Sequence, residues 1–355
     1  MSTEIESLLS RYIAERSFPG AAYCFGNAKT LQMGWVGQQT YAAESPAVSE
    51  GTWWDLASVT KVMSTTMAAI CAVRQELFRL DDPVELYLPE TKVGTGTVRN
   101  LLLHNCGFKA YDSMAGKVSD ASEAKTRILT AVPAAKPGEQ TTYSCLGFVN
   151  LMAVIERSSG TNLGAFIQDN FYGPLGIQAT YRPSPALVPH CAPTEATPAW
   201  RKQIARNRGE EWTVGEFIQG SVHDPIAYIL GGLSGNAGLF APIGGVAKFG
   251  QALAANHEIF GGLLESWVKR QGQSTRALGF DTKSSDGSSA GSRFGPNSYG
   301  HTGYTGTCIW VDPDAKIFAA LLTNRVHPDD TDSKIAQARP AFFDLAFDAA
   351  MSLGH

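Results

Sequence analysis

The order of hydrophobic and polar positions divides the first part of the chain into a helix and a hairpin. Apolar residues recur at helical spacing over residues 5–13, which predicts an amphipathic helix. Thr3 and Glu6 fit a capping box at its start. Two short strand-like runs follow at residues 21–25 and 31–36, and the polar turn between them predicts a hairpin.

The same pattern predicts further elements towards the C-terminus. Residues 62–73 carry no charge, which indicates a helix buried on most sides. Residues 146–155 form a second apolar helical pattern. The apolar, partly β-branched runs 305–311 and 317–323 predict another hairpin, and residues 339–353 predict a final amphipathic helix.

These elements predict an α/β fold of the α+β type. Both ends of the chain would join in one antiparallel β-sheet flanked by the N- and C-terminal helices, with a mainly α-helical region inserted between them. We expect residues 1–56 plus 231–355 to form the sheet domain and residues 57–230 the helical domain. The active site would lie in the cleft between them, because clefts between such parts are common ligand sites.

Composition excludes several classes of function. The 355 residues are 44% hydrophobic and 17% charged with a formal net charge of −4, which argues against nucleic acid or an anionic membrane as partner. No apolar run approaches the ~18 residues of a spanning helix. The N-terminus lacks the pattern of a secretory leader, so a cytoplasmic location is expected unless a leader was trimmed.

Cysteine spacing suggests neither a metal site nor a cofactor. The six cysteines are scattered without a CxxC motif, and reduced, buried thiols are favoured over disulfides. We therefore expect no cofactor. We also expect a small-molecule partner, and the sequence leaves the oligomeric state open.

The segment DLASVTKV carries candidate chemistry at Ser58 and Lys61. Residues three apart share a helix face, so the hydroxyl and the amine can come within hydrogen-bond reach. Serine needs a neighbouring base, and lysine serves as one only when neutral, which burial and a helix N-terminus both favour. The alternative is that Ser58 caps a helix and Lys61 lies in solvent. The same spacing recurs in two polar segments, at Ser122/Lys125 and Ser266/Lys269.

Two later segments strengthen the catalytic interpretation. Tyr143 lies in a loop before the apolar helix, where a phenol can relay a proton if a cation is near. The segment His301-Thr302-Gly303 opens the last hairpin, where Gly303 would allow close approach of a substrate and Thr302 offers a hydroxyl. Taken singly, each residue also fits a structural role.

The order Ser-x-x-Lys, Tyr-x-(Asn), (Lys/His)-Thr-Gly resembles the signature of the serine β-lactamase and penicillin-binding-protein superfamily. The chain is most similar to the class C β-lactamase-related branch, which includes esterases, DD-carboxypeptidases and D-amino-acid peptidases. Further similarities are FPGAAYCFG, LLLHNCGF, HDPIAYILGGLSGNAGLF and LLTNRVHP. The last two resemble hydrolases of the penicillin-binding-protein-4B type.

This resemblance implies a β-lactamase/transpeptidase-like fold and a role for each matching residue. Ser58 would be the acylated nucleophile, Lys61 would take its proton, and Tyr143 would pass it to the leaving group and later activate water. The backbone N–H groups of Ser58 and Tyr304 would form the oxyanion hole. His301, Thr302 and Gly303 would line the substrate, which would be a small ester, a peptide or a β-lactam-like molecule.

Two positions depart from the family pattern. Cys145 stands where Asn or Asp is usual, and a thiol is a weak hydrogen-bond partner, so the hold on Lys61 and on a substrate amide would weaken. A buried inert Cys145 is favoured over a thiol nucleophile. His301 stands where many members have Lys, and a neutral His would lose the fixed cation for a substrate carboxylate.

These departures leave two functions open. The first is a cofactor-independent serine hydrolase that forms an acyl-enzyme at Ser58. The alternative is a non-catalytic or slowly deacylating member that only binds such ligands. A relay of Ser58 with His223 and Asp224 is less favoured than a packing or loop role for that pair.

Overall fold

The computed structural model describes residues 2–114, 117–118, 120–211 and 214–354. Its strands are β1 Gly20–Asn27, β2 Leu31–Gly37, β3 Trp53–Asp55, β4 Thr180–Tyr181, β5 Leu239–Pro242, β6 Asp281–Thr282, β7 Tyr299–Thr302, β8 Cys308–Asp312 and β9 Ile317–Thr323. The larger sheet has the order β2-β1-β9-β8-β7-β6, and all its pairs are antiparallel. Because β1 lies beside β9, the two ends of the chain share one sheet, as predicted.

Helices make up much of the remaining described chain. They are α1 Ser2–Ala14, α2 Met67–Arg74, α3 Val98–Leu102, α4 Ala121–Leu129, α5 Cys145–Ser159, α6 Leu163–Ile167, α7 Gly173–Leu175, α8 Ala199–Arg208, α9 Pro225–Ile229, α10 Ile243–Ala254, α11 Leu264–Trp267 and α12 Ile335–Met351. π-Helical turns at Lys61–Thr66 and Gln168–Tyr172 precede α2 and α7. Short 3₁₀ turns lie at Val84–Leu86, Val188–His190 and Glu258–Phe260.

The central strands are apolar on both faces because helices cover both sides of the sheet. Along β1, Ala22 and Cys24 join the core that contains α10. Tyr23 and Phe25 point the other way, into the core formed with α1 and α12. This alternation with a period of two residues explains why the run reads as apolar throughout.

A second, small sheet of order β3-β5-β4 lies beside the segment that carries Ser58. In it β5 pairs with β3 on one side and with β4 on the other. Strand β4 belongs to the predicted helical domain, whereas β3 and β5 belong to the predicted sheet domain. The division into 1–56 plus 231–355 and 57–230 therefore stays a prediction, with a small sheet bridging its boundary.

Several predicted bounds change in the structure. Helix α1 already includes Thr3, so the predicted capping box in front of it is wrong. Strand β8 begins at Cys308, because residues 303–307 form a loop instead of its first half. Helix α12 begins at Ile335 and continues through Pro340. All six cysteines are free, and all but the partly buried Cys145 are buried.

The described residues contain no helix that combines the length and the apolar character needed to cross a bilayer. The cytoplasmic location expected from the sequence stays a prediction.

The packing of α10 on the sheet requires a glycine at one position. A Cβ atom at Gly250 would lie 2.1 Å from Cδ2 of Phe318 in β9, and Phe318 is 0% exposed. We expect Gly250→Ala to lower the free energy of unfolding by about 1–3 kcal/mol, as overpacking does. Gly244→Ala in the same helix meets no atom within 4 Å and should be neutral or stabilise by up to about 1 kcal/mol. Urea unfolding of both variants measures this, and equal effects would contradict the packing argument.

Candidate active site

Ser58 and Lys61 are in direct contact. Lys61 Nζ donates a hydrogen bond to Ser58 Oγ at 3.1 Å. The lysine is 0% exposed, whereas Ser58 is only partly buried. The alternative in which Lys61 lies in solvent is therefore wrong. The Ser58 side chain therefore keeps some exposed surface, whereas the lysine that bonds to it has none.

A tight turn presents Ser58 at the end of β3. Ala57, just before it, has a φ of 45°, in the left-handed region that residues with a Cβ rarely adopt. The carboxylate of Asp55 accepts hydrogen bonds from the N–H of Ala57 at 2.8 Å and from the N–H of His223 at 2.6 Å. Burial raises the pKa of the Asp55 carboxyl, and these two donors oppose the rise. Asp55 thus holds the strained turn to the 223–224 segment.

The loop after β7 is fastened to the same turn. The hydroxyl of Thr305 donates to the carbonyl of Asp55 at 2.7 Å, and that of Thr307 donates to the carbonyl of Leu56 at 2.8 Å. A Cβ atom at Gly303 would lie 2.0 Å from Thr307 Oγ1. The glycine therefore serves this internal contact, which differs from the substrate approach expected from the sequence.

The same loop brings a second backbone donor towards Ser58. Among the described residues, the backbone N–H groups of Ser58 and Tyr304 donate to no other group. The assignment of these two donors to an oxyanion hole stays a prediction.

Three groups surround the amine of Lys61 beyond Ser58. Lys61 Nζ donates to the carbonyl of Asn236 at 2.8 Å and contacts Cys145 Sγ at 3.8 Å. It lies 4.9 Å from the ring centroid of Tyr143. Burial lowers the pKa of Lys61, but the negative charges that Cys145 and Tyr143 can carry, with that of Asp224, raise it, and the net direction is upward. The expectation from the sequence, that burial and a helix N-terminus favour a neutral lysine, left these negative charges out.

Cys145 leaves Lys61 with a weak partner, but the backbone of Asn236 supplies a strong one. Burial raises the pKa of the Cys145 thiol, and the charge of Lys61 opposes this rise. The amide of Asn236 donates to Asp224 Oδ1 at 3.0 Å and accepts from the Ser234 hydroxyl at 2.7 Å. Sequence reasoning quoted the SGNAG segment only as a similarity and missed this support.

Tyr143 lies over Lys61 and against two histidines. Its ring centroid is 4.5 Å from that of His104 and 5.7 Å from that of His301. The Tyr143 hydroxyl is buried and, within the described ranges, has no partner at hydrogen-bond geometry. Its nearness to Lys61 raises the pKa of that amine, so the phenol and the amine interact directly.

His104 was missed as a site residue, although its segment LLLHNCGF was noted. Its Nδ1 accepts a hydrogen bond from the N–H of Ser144 at 2.9 Å, at the start of α5. Burial, reinforced by the charges of Arg276 and Lys61, lowers the pKa of His104 well below its usual value. The ring is neutral, and it fixes the loop that carries Tyr143.

His301 is also neutral, as the sequence led us to expect. Its Nδ1 lies 2.7 Å from the carbonyl of Thr302, an acceptor, so Nδ1 carries the proton. Burial, with the charges of Arg276 and Lys61, lowers the pKa of His301 well below its usual value. Thr302 ends β7 with its side chain partly exposed.

Arg276 places a cation where His301 lacks one. Its guanidinium carbon lies 5.0 Å from the ring centroid of Tyr143, and Nη1 lies 3.8 Å from Asp281 Oδ1. Nothing in the sequence marked this arginine, because it reaches the site from a loop remote from every motif.

The remaining candidates, His223 and Asp224, bond to groups other than Ser58. The imidazole of His223 contacts Glu195, with Nε2 at 3.4 Å from Oε1, and the ring of Tyr304 at 5.7 Å between centroids. Asp224 caps α9 through the N–H of Ala227. These contacts fit the packing and loop role and not a relay to Ser58.

The two other Ser-x-x-Lys pairs do not form a site. In each, the lysine pairs with a glutamate at the surface: Lys125 with Glu156 and Lys269 with Glu265.

Comparison with known proteins agrees with this geometry. The Beta-lactamase family model matches residues 5–341. The chain belongs to the beta-lactamase family. A putative D-alanyl-D-alanine carboxypeptidase of Salmonella agona (strain SL483) is 27% identical over 325 residues, which are 83% of this chain and 74% of that protein. The resemblance stated from the motifs is confirmed.

Solved structures show the same fold. The octameric penicillin-binding protein homologue of Pyrococcus abyssi aligns with a TM-score of 0.72 and 22% identity, over 98% of this chain and 77% of that one. EstCE1, a hydrolase with promiscuous acyltransferase activity, aligns with a TM-score of 0.71 and 18% identity, over 96% and 98%. The mixed α/β fold with antiparallel sheets is therefore that of β-lactamases and transpeptidases, and the family and its relatives support a hydrolase.

The neutral histidines predict how stability depends on pH. The folded pKa of His104 is lowered, so below the unfolded value of about 6.5 the unfolded chain binds a proton that the folded chain does not. Stability should therefore fall by about 1.4 kcal/mol per pH unit for each such group as the pH drops. His104→Asn keeps an acceptor and tolerates the φ of 57°, so its slope should be shallower.

Urea unfolding at several pH values between neutral and mildly acidic measures these slopes. His190→Gln, at an exposed position, controls for the loss of an imidazole. Equal slopes for wild type and His104→Asn would show that His104 is not buried as a neutral ring.

Proposed function

We propose that this beta-lactamase-family chain is a serine carboxypeptidase that cleaves peptides through an acyl-enzyme on Ser58. The observation that carries the proposal is the 3.1 Å contact between the partly exposed Ser58 hydroxyl and the buried Lys61 amine. A serine in this position lies beside two titratable groups, Lys61 and Tyr143, that can take up its proton together. The name of the Salmonella agona relative supports the same class of reaction.

Acylation begins with attack of Ser58 Oγ on the scissile carbonyl. The Lys61–Tyr143 pair starts with one proton fewer than ammonium plus phenol, so it accepts the hydroxyl proton, and the carbonyl oxygen takes the negative charge. The ammonium of Lys61 beside the Tyr143 ring stabilises negative charge that develops on the phenol. When the tetrahedral intermediate collapses, the pair returns the proton to the leaving amine, and an ester remains on Ser58.

Deacylation repeats these steps with water. The pair accepts a proton from water, whose oxygen attacks the ester carbonyl, and gives a proton back to Ser58 Oγ as the product acid leaves. In both steps the N–H groups of Ser58 and Tyr304 would receive the oxyanion. One such donor accounts for roughly 10²–10³-fold in rate in well-studied cases.

Arg276 supports a substrate with a free carboxylate. Its guanidinium carbon lies 5.0 Å from the centroid of the Tyr143 ring, which belongs to the pair proposed to protonate the leaving group. It is a stronger carboxylate partner than the neutral His301, because arginine can form two parallel charge-assisted hydrogen bonds. The peptide residue released would then be the one that carries the C-terminal carboxylate.

The alternative of a member that binds without turnover rested on Cys145. The structure gives Lys61 the carbonyl of Asn236 at 2.8 Å as a partner in addition to that thiol. This contact compensates for the weaker hold on Lys61 and so favours turnover, while the hold on a substrate amide stays weaker than with Asn or Asp.

A matched pair of substrates tests the proposed specificity. Wild type should hydrolyse an N-acylated D-alanyl-D-alanine with a free carboxylate faster than its C-terminal carboxamide. In Arg276→Gln this preference in kcat/KM should fall about 10- to 100-fold. Such a fall corresponds to the roughly 1.5–3 kcal/mol that a hydrogen bond to a charged group contributes.

Two variants serve as controls. Arg270→Gln removes an arginine that bonds Thr282 and Lys283 outside the site and should keep the wild-type preference. Ser58→Ala should hydrolyse neither substrate. Equal rates on the acid and the carboxamide in wild type would contradict the carboxypeptidase assignment.

A further inference from the structure

The loop from Gly303 to Thr307 carries one of the two proposed oxyanion donors at an exposed position. Tyr304 is 52% exposed, so packing of its side chain in the core does not hold its backbone in place. An oxyanion donor must nevertheless be fixed before the reaction, because reorientation during catalysis would consume the stabilisation it provides. Other groups must therefore hold the loop.

Arg339, at the start of α12, bonds the peptide unit that contains this donor. Its Nη2 donates to the carbonyl of Gly303 at 2.7 Å and to that of Thr307 at 3.1 Å. The carbonyl of Gly303 and the N–H of Tyr304 belong to the same planar trans peptide, in which they point in opposite directions. A hydrogen bond that fixes the carbonyl therefore also fixes the direction of the N–H.

Arg325 holds the next peptide unit of the loop. Its Nε donates to the carbonyl of Tyr304 at 2.8 Å, and its guanidinium carbon lies 4.5 Å from the centroid of the Tyr304 ring. The Tyr304 hydroxyl donates to Asp330. Both peptide units that flank the Tyr304 Cα are thus bonded to an arginine.

Arg339 also affects how strong a hydrogen-bond donor the N–H of Tyr304 is. A hydrogen bond to the carbonyl polarises the peptide, which makes the N–H at its other end a better donor. Burial lowers the pKa of Arg339, with the charge of Arg325 as a lesser cause in the same direction. Within the described ranges, no carboxylate pairs with Arg339.

We infer that Arg339 and Arg325 are positioning residues for the oxyanion hole: Arg339 aims and polarises the N–H of Tyr304, and Arg325 locks the peptide after it. This inference rests on the proposed acyl-enzyme at Ser58. It assigns to two arginines outside the motifs a role in the transition state and none in binding the ground-state substrate.

The test compares kcat and KM in Arg339→Lys, Arg339→Met and Arg325→Met. Arg339→Met should lower kcat about 10- to 100-fold, less than the roughly 10²–10³-fold loss of a whole donor, with KM unchanged. Arg339→Lys keeps a cation and one donor and should recover part of the loss. Arg325→Met, at a more exposed site, should lower kcat by a smaller factor.

Affinity for a boronic acid separates a role at the oxyanion hole from a purely structural role. Its tetrahedral adduct on Ser58 carries an oxygen in the oxyanion hole, so its affinity should fall by the same factor as kcat. The affinity of the product acid, measured by calorimetry, should not change. Arg208→Met is the matched control, because Arg208 also donates to two backbone carbonyls, those of Tyr228 and Ile229.

The outcomes separate the two proposals. Wild-type protein that hydrolyses nothing contradicts the proposed function and this inference with it. Wild-type turnover with equal kcat and equal boronate affinity in folded Arg339→Met and Arg325→Met overturns the inference alone. Equal losses of boronate and product affinity would also overturn it, since they would show a general disturbance of the site.

Discussion

The burial of Lys61 is the constraint on which the rest of the site depends. A lysine amine without exposed surface is costly unless other groups compensate for the lost water. Here the compensation comes from Ser58, the carbonyl of Asn236 and the ring of Tyr143. These residues come from three separate parts of the chain. The contacts that compensate for the burial of Lys61 therefore also bring the candidate catalytic groups together.

The two sheets place these parts with little freedom. Strand β3 leads into the Ser58 turn, and its partner β5 begins three residues after Asn236. The loop after β7 is tied back to the turn through Thr305 and Thr307. A sheet covered by helices, with apolar residues on both faces, gives a rigid base for such contacts. If a strand slipped by one residue, each of its side chains would move to the opposite core, where it does not fit.

The sequence predicted most of what depends on local pattern. The hairpins at β1–β2 and β8–β9 follow from apolar runs separated by turn residues, and Ser58 and Lys61 follow from helical spacing. Arg276 and the carbonyl of Asn236 could not be predicted in this way. Their roles depend on loops that come near Ser58 only in the folded chain, and neither a carbonyl nor an isolated arginine leaves a spacing pattern.

The central claim is that Ser58, activated by Lys61, forms an acyl-enzyme. Intact-protein mass spectrometry after incubation with a fluorophosphonate, and separately with a labelled penicillin, tests it most directly. We expect one adduct per chain with the fluorophosphonate, and its disappearance in Ser58→Ala. A penicillin adduct at the same residue would add that the site accepts β-lactams. Folded wild-type protein that gains no mass with either reagent, or an adduct that persists in Ser58→Ala, would contradict the account.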